Sequence, residues 1–168
     1  DATSIQPGFY RLREQMKASL ALEALLDLEN RIGFPVTVQE GLRQSAALKV
    51  LAEATDFGLD ELTAAARDED ALGLPRYARG RSEGFLFPAT YNIEPDTTPE
   101  SLLSEMVGTF DQVASDIDLE GRAREVGLTP YQVVIVASII QAEARHAEDF
   151  PKVARVIYNR LDRDIRLQ

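Results

Sequence analysis

The feature that most constrains the fold is a helix start signal directly in front of a long apolar run. Thr129 can cap a helix, Pro130 suits the first helical position, and Gln132 stands three residues after Thr129, which completes a capping box. The apolar run VVIVASII follows. The sequence therefore predicts a helix that begins at Pro130 and packs its apolar side against a core.

One carboxylate lies at the end of the apolar stripe of this helix. Val136, Ile140, Glu143 and Ala147 follow one another at steps of four, three and four, so a helix would place them on one face. A carboxyl group held against aliphatic side chains loses hydration, which favours the protonated form that a general acid needs. The alternative is a glutamate at the edge of an amphipathic helix that reaches water. Spacing alone leaves both interpretations open.

The first half of the chain alternates strand patterns with helical ones. The string QPGFYRL predicts a short strand, and leucines at helical spacing predict a helix from about Ser19 to Ile32. The string FPVTVQEG predicts a second strand and a turn, and apolar repeats predict helices around Leu48 and from Leu59 to Arg67. The irregular Gly- and Arg-rich stretch GLPRYARGRSEG is the predicted boundary between two lobes.

The second half is predicted to be mainly helical. GFLFPATYNI is rich in β-forming residues but contains Pro88, so it predicts an edge strand or an ordered loop. Thr98 and Pro99 open a helix whose apolar stripe continues beyond Leu103, and Phe150 with Pro151 opens another. The whole pattern predicts an α+β fold.

Composition excludes several classes of function. The formal charge of −10, from 28 acidic and 18 basic residues, would repel phosphate backbones and anionic lipids, so nucleic acid is a poor partner. The chain has no cysteine and one histidine, His146, which excludes thiolate chemistry and leaves almost nothing for a zinc cluster or a Ser-His-Asp triad. The acidic run from Asp68 to Asp70 predicts a solvated turn, and no metal site is assigned.

A second acidic residue precedes a group of aromatic residues. Glu83 and Gly84 stand in front of Phe85, Phe87 and Tyr91, which alternate at strand spacing. Such rings could form a floor on which sugars stack, or they could pack in the core. The pattern fits both interpretations.

Two strings together resemble the signature of the YceG-like endolytic murein transglycosylases. The first is EGFLFPATYNI, residues 83–93, and the second is ASIIQAEARHAEDFPKVARVIYNRL, residues 137–161, followed by residues 165–168. The N-terminal strings PGFYRL and VTVQEG are similar to the small LysM-like lobe of that family. The resemblance implies an α+β fold with a LysM-like peptidoglycan-binding lobe at about residues 1–75. It implies a mainly helical α+β catalytic lobe at residues 76–168, truncated at its C-terminal end.

The family's activity is nonhydrolytic cleavage of the bond between N-acetylmuramic acid and N-acetylglucosamine. The resemblance thus implies a lytic transglycosylase that leaves 1,6-anhydromuramyl ends in glycan strands, during cell wall assembly and strand termination, without a cofactor or metal. Expected partners are peptidoglycan glycan strands and a peptidoglycan synthase complex. The chain starts at Asp1 without methionine, so we expect a fragment whose single N-terminal membrane anchor is missing and whose catalytic part is extracytoplasmic.

The resemblance also implies roles for particular residues. The family's essential glutamate corresponds to Glu143, which would act first as acid and then as base. Many relatives have a second glutamate two positions earlier, where this chain has Gln141, and an aspartate where it has Ala89. Arg155 or Arg160 is expected to meet substrate carboxylates. The predicted substrate-binding residues are Glu83, Phe85, Tyr91, Gln141, Tyr158, Asn159 and Gln168.

Some alternatives remain open. Tyr158 could pack and Asn159 could cap a helix instead of lining a sugar site. The whole chain could also be a noncatalytic peptidoglycan-binding module, or a small adaptor domain that binds partner helices in an exposed apolar groove. A desolvated Glu143 in a cleft would argue against both.

Overall fold

The computed structural model describes residues 5, 8–144 and 146–166. In these ranges the chain forms eight α-helices and four short β-strands. The helices are α1 (Ala18–Leu26), α2 (Gln44–Ala54), α3 (Leu59–Ala65), α4 (Glu69–Leu72), α5 (Pro99–Asp116), α6 (Leu119–Glu125), α7 (Pro130–Glu143) and α8 (Phe150–Asp162). The strands are β1 (Phe9–Tyr10), β2 (Arg31–Ile32), β3 (Phe34–Thr37) and β4 (Thr90–Ile93). The predicted mixed, mainly helical α+β class is confirmed.

The strands form two antiparallel pairs. β1 pairs with β2, and β3 pairs with β4 in a register that runs from Phe34 opposite Ile93 to Thr37 opposite Thr90. The hydroxyl groups of Thr37 and Thr90 are 2.8 Å apart and hydrogen-bonded. Helices α2, α3 and α4 come between β3 and β4 in the chain, so the segment from β3 to β4 forms one unit closed by the strand pair.

One hydrophobic core joins this unit to α5. Leu51, Leu62, Leu102, Leu103 and Met106 have no exposed side-chain surface, and they belong to one cluster. Burying each of them fully stabilises the fold by about 1.5–3 kcal/mol. The cluster includes residues from both sides of the boundary predicted near residue 75. The division into two lobes stays a prediction, but its two parts share a core.

The predicted end of the first helix is wrong. Helix α1 ends at Leu26, not near Ile32, and it begins at Ala18 with Lys17 rather than Ser19 in the cap position. Asp27 has an extended backbone, and its side chain accepts a hydrogen bond of 3.0 Å from the Glu29 N–H. This local bond competes with helix continuation and starts a short 3-10 turn, after which the chain pairs with β1.

The predicted start signals of the longer helices are confirmed. Thr98 caps α5 by accepting a hydrogen bond from the Ser101 N–H at 3.2 Å. Thr129 caps α7 in the same way, with the Gln132 N–H at 3.3 Å and the Gln132 side chain accepting from the Thr129 N–H at 2.8 Å. Helix α8 begins at Phe150, as predicted.

Helix α6 was not predicted from the sequence. Asp118, in the left-handed region with φ of 50°, caps it by accepting from the Gly121 N–H at 3.1 Å. Among the described residues, no single helix is long and apolar enough to span a membrane. Helices α6 and α7 meet the length and composition requirement only when taken together, and they are bent by 88° relative to each other.

Candidate active site

Glu143 lies in a groove between the last two helices. It is the final residue of α7, and a 3-10 turn, Ala147–Asp149, leads into α8. The groove has a volume of about 360 Å³. Its lining residues are Ile139, Glu143, Lys152, Val153, Val156, Ile157 and Arg160.

The predicted desolvation of Glu143 is not found. Its side chain is exposed, although Val136 on the same stripe is buried. The reason is that α7 ends at Glu143, so no further turn of helix covers the carboxylate. Ala147, predicted to lie on the same face, belongs instead to the separate 3-10 turn. The site is a groove with apolar walls and an exposed carboxylate, rather than a buried pocket.

Glu143 is the one carboxylate among the described residues that line the groove. Lys152 is paired outside the lining, since its Nζ lies 2.7 Å from Asp149 Oδ1. Arg160 donates from Nε to the Arg166 carbonyl oxygen at 3.2 Å. The arrangement thus offers one acid or base beside two cations that already have partners.

Phe85 and Tyr91 of the 83–93 segment are core residues, whereas Phe87 is half-buried. Phe85 is completely buried and packs edge-to-face on Phe110, with ring centroids 4.9 Å apart, and parallel to Tyr131 at 6.2 Å. Tyr91 is 3% exposed and donates its hydroxyl to the Phe87 carbonyl at 2.6 Å. Burial raises the pKa of Tyr91. The predicted substrate contacts of Phe85 and Tyr91 are therefore corrected, because helices α5 and α7 already cover the rings that sugars would need.

Glu83 holds the start of α2. Its two carboxylate oxygens lie 3.2 and 3.3 Å from the backbone nitrogen of Gln44, the first residue of that helix. Next to it, the Ser82 hydroxyl donates to the Ala66 carbonyl at 2.7 Å and accepts from the Gln44 side chain at 2.9 Å. Glu83, which is 39 positions away in the sequence, thus accepts a hydrogen bond from the Gln44 N–H, which has no partner within the helix. Glu83 itself remains exposed.

The predicted substrate-binding residues Gln141, Tyr158 and Asn159 do not line the groove. Gln141 is exposed and faces Gly41, on a different side of α7 from Glu143, since two residues are about 200° apart around a helix. Tyr158 is half-buried and Asn159 is exposed. Asn159 does not cap α8 either, because that helix continues to Asp162. Gln168 lies outside the described residues.

The acidic run and the histidine have local roles. Asp68 caps α4 by accepting from the Ala71 N–H at 3.0 Å, so the predicted solvated turn is the start of a short helix. His146 is exposed. In the part of the chain that the structure describes, no three His, Cys, Asp or Glu side chains come together to hold a metal ion.

The sequence did not predict that the apolar walls of the groove belong to a site. The spacing of Val153, Val156 and Ile157 predicts a helix face. Nothing in the spacing says that this face meets Glu143. The connection between α7 and α8 is short, which favours packing of these two helices side by side. This was a signal that they could share a site.

The chain is a small mixed, mainly helical α+β protein, and Glu143 is the one carboxylate among the described residues that line the groove between α7 and α8. The model of the YceG-like family matches residues 1–168, and the chain belongs to that family. A crystal structure of a yceG-like protein from Listeria monocytogenes shares the fold, with a TM-score of 0.69 at 20% identity, over 99% of this chain and 60% of that one.

Two curated relatives bear the name endolytic murein transglycosylase. The protein from Streptococcus pneumoniae serotype 2 (strain D39 / NCTC 7466) is 29% identical over 191 residues, covering 99% of this chain and 34% of the relative. The protein from Bacillus subtilis (strain 168) is 26% identical over 182 residues, covering 99% of this chain and 50% of the relative. The chain therefore spans between a third and a half of the length of these relatives.

Proposed function

We propose that this chain carries the acid–base centre of an endolytic lytic transglycosylase that cuts peptidoglycan glycan strands. Family membership and the names of the relatives supply the reaction class. The observation that carries the proposal is the groove between α7 and α8, where Glu143 is the one carboxylate among the described lining residues. A hydrolase of the usual kind needs two carboxyl groups, whereas a lytic route needs one.

The proposed reaction uses Glu143 twice. Protonated Glu143 donates its proton to the glycosidic oxygen while the bond from that oxygen to C1 of N-acetylmuramic acid breaks. The resulting carboxylate then takes the proton of the C6 hydroxyl as O6 attacks C1. The products are a free 4-hydroxyl group on N-acetylglucosamine and a 1,6-anhydromuramyl end. The proton returns to Glu143, and no water is consumed.

The walls of the groove support the acid role once a substrate is bound. The walls formed by Ile139, Val153 and Val156 are aliphatic. A sugar bound against these walls would exclude water from Glu143, so the desolvation that the free chain lacks would arise on substrate binding.

The remaining parts of the proposal concern the surroundings of the reaction. We assign the glycan-holding, LysM-like role to about residues 1–75. The proposed setting is the cell wall side of the membrane, with an anchor outside the present chain and a peptidoglycan synthase complex as partner. Glycan strand termination during wall assembly would be the consequence of the cut.

The test is mass spectrometry of purified, uncrosslinked glycan strands incubated with a full-length protein and with its Glu143→Gln variant. The wild type is expected to produce 1,6-anhydromuramyl ends, and the variant to lose at least about 100-fold in rate. The matched control is Glu53→Gln, the same change at an exposed position of α2 outside the groove. It is expected to cleave like the wild type.

Three results would overturn this proposal. Reducing ends in place of anhydromuramyl ends would mean hydrolysis. Full activity of Glu143→Gln would place the acid elsewhere. Intact strands that still bind the wild-type protein would favour the noncatalytic peptidoglycan-binding module.

A further inference from the structure

A second cleft lies outside the Glu143 groove. It has a volume of about 640 Å³ and opens between α2, α3 and the segment 80–83. None of its lining residues lines the groove between α7 and α8. We call it the basic cleft, after its three cationic residues Lys49, Arg67 and Arg81.

The cations of the basic cleft have few partners among the described residues. Within the described ranges, the side chains of Lys49 and Arg67 have no ion pair and no hydrogen bond. Arg81 has only a long contact of 3.4 Å to the Tyr131 hydroxyl. All three residues are exposed. Three cations on one cleft, two of them without partners, contrast with a chain whose net charge is −10.

The two acidic residues of the cleft are directed at the backbone. Glu83 accepts from the Gln44 N–H, as described above. The Glu69 carboxylate packs against Gly80, in the space that a side chain there would fill. Neither acid forms a salt bridge with a cleft cation in the described part of the chain. The positive charge of the cleft therefore remains available to a ligand.

The remaining lining residues indicate which kind of ligand suits the cleft. Leu48, Leu59 and Ala66 provide apolar surface, and Ser45 and Thr63 provide hydroxyl groups. Cations beside small apolar and hydroxyl-bearing side chains suit a carboxylate on a molecule with short aliphatic groups. Nucleic acid is a poor ligand for this cleft, because the net charge of −10 repels a dense phosphate backbone.

We propose that the basic cleft binds a carboxylate of a peptide attached to the glycan strand. This inference rests on the proposed function, because it takes peptidoglycan as the substrate. Arg81 contacts Tyr131 in the first turn of α7, and Glu143 is 12 residues further on, or about 18 Å along the helix axis. A peptide of about five residues spans about 17 Å when extended, a comparable distance.

The experiment measures binding to the present chain, so it does not depend on turnover. Soluble muramyl peptide, the free peptide and N-acetylmuramic acid alone are titrated separately and followed by NMR chemical shifts. The free peptide and the muramyl peptide should shift residues of the basic cleft. Lys49→Ala combined with Arg67→Ala should weaken this binding at least tenfold, and amidation of the peptide carboxylates should have the same effect.

The matched control is Arg122→Ala, which removes an exposed cation of α6 outside the cleft. It should bind like the wild type. Equal loss in this control and the cleft variant, or undiminished binding of the amidated peptide, would overturn the proposal. So would cleft binding of N-acetylmuramic acid as strong as that of the peptide, since the lactyl carboxylate would then be the ligand. If the present chain binds the peptide here and the full-length protein never cleaves strands, the proposed activity is refuted and the carboxylate site stands.

Discussion

The region around α5 and the pair formed by α7 and α8 are built in opposite ways. Leu102, Leu103 and Met106 of α5 are completely buried. In α7 and α8, only Val136 and Ile157 are buried among the residues whose surroundings the structure describes, and Val156 is 57% exposed. The stability of the molecule therefore resides in the first region, while the proposed catalytic glutamate stands on the second. Sites of function are commonly placed on such less tightly packed elements.

The largest effect expected from this comparison is the loss of the central aromatic ring. Phe85→Ala should cost about 3–5 kcal/mol of unfolding free energy, because it leaves a cavity among Phe110, Tyr131 and Tyr77. Val156→Ala in α8 should cost less than about 0.5 kcal/mol, since that side chain is mostly exposed. Urea unfolding followed by circular dichroism measures both.

Two outcomes of this experiment would contradict the difference between the two regions. Equal losses in the two variants would show that α8 contributes as much to global stability as the core does. A Phe85→Ala protein that unfolds like the wild type but no longer binds glycan would restore the sugar-stacking interpretation of this ring.

The capping boxes of α5 and α7 permit the same substitution in both regions, with a smaller expected loss of stability. Thr98→Ala and Thr129→Ala each remove a side-chain cap and should each cost about 1 kcal/mol. The loss at α5 should lower the global unfolding free energy, because that helix carries the core. The loss at α7 should appear mainly as faster amide hydrogen exchange in α7.

Hydrogen exchange of both variants at several denaturant concentrations tests this expectation. If Thr129→Ala accelerates exchange in α5 as much as in α7, the two regions unfold together and the contrast between them has no energetic basis.

The smallest expected effect concerns a carboxylate in the better packed region. Burial raises the pKa of Asp111 above its ordinary value, so the folded chain binds this proton more tightly than the unfolded chain does. The contribution of Asp111 to stability is therefore complete below the unfolded pKa and is lost as the pH rises through the folded pKa. Asp111→Asn should consequently raise the melting temperature at pH 7, by about 1–2 °C, relative to the wild type.

Calorimetry at pH 7 and in acid separates this effect from others. The advantage of Asp111→Asn should disappear below the carboxyl pKa values, where Asp111 is protonated in both states. Asp96→Asn, at an exposed position, should melt like the wild type at both pH values. An advantage for Asp111→Asn that persists in acid would show that the effect is not electrostatic.

Much of this protein was readable from its residues because the relevant interactions are local. The helix starts at Thr98 and Thr129 depend on a side chain and an N–H group three residues away, and both were predicted correctly. The strand at FPVT and the family assignment also followed from short strings in order. The position of Glu143 on the apolar stripe followed from the same helical pattern, but the end of α7 at Glu143 did not, because the same spacing placed Ala147 on that helix face.

Burial and long-range contacts could not be predicted from the sequence, because they depend on the tertiary structure. The alternation of Phe85 and Tyr91 suits a sugar platform and a core equally, and the positions of α5 and α7 made these rings core residues. Glu83 caps a helix that lies 39 positions away, and Glu143 is exposed because α7 stops there and α8 leaves a groove beside it. The sequence specifies which residues lie within a few positions of a side chain. The exposure of that side chain depends on distant segments that come into contact only when the chain has folded.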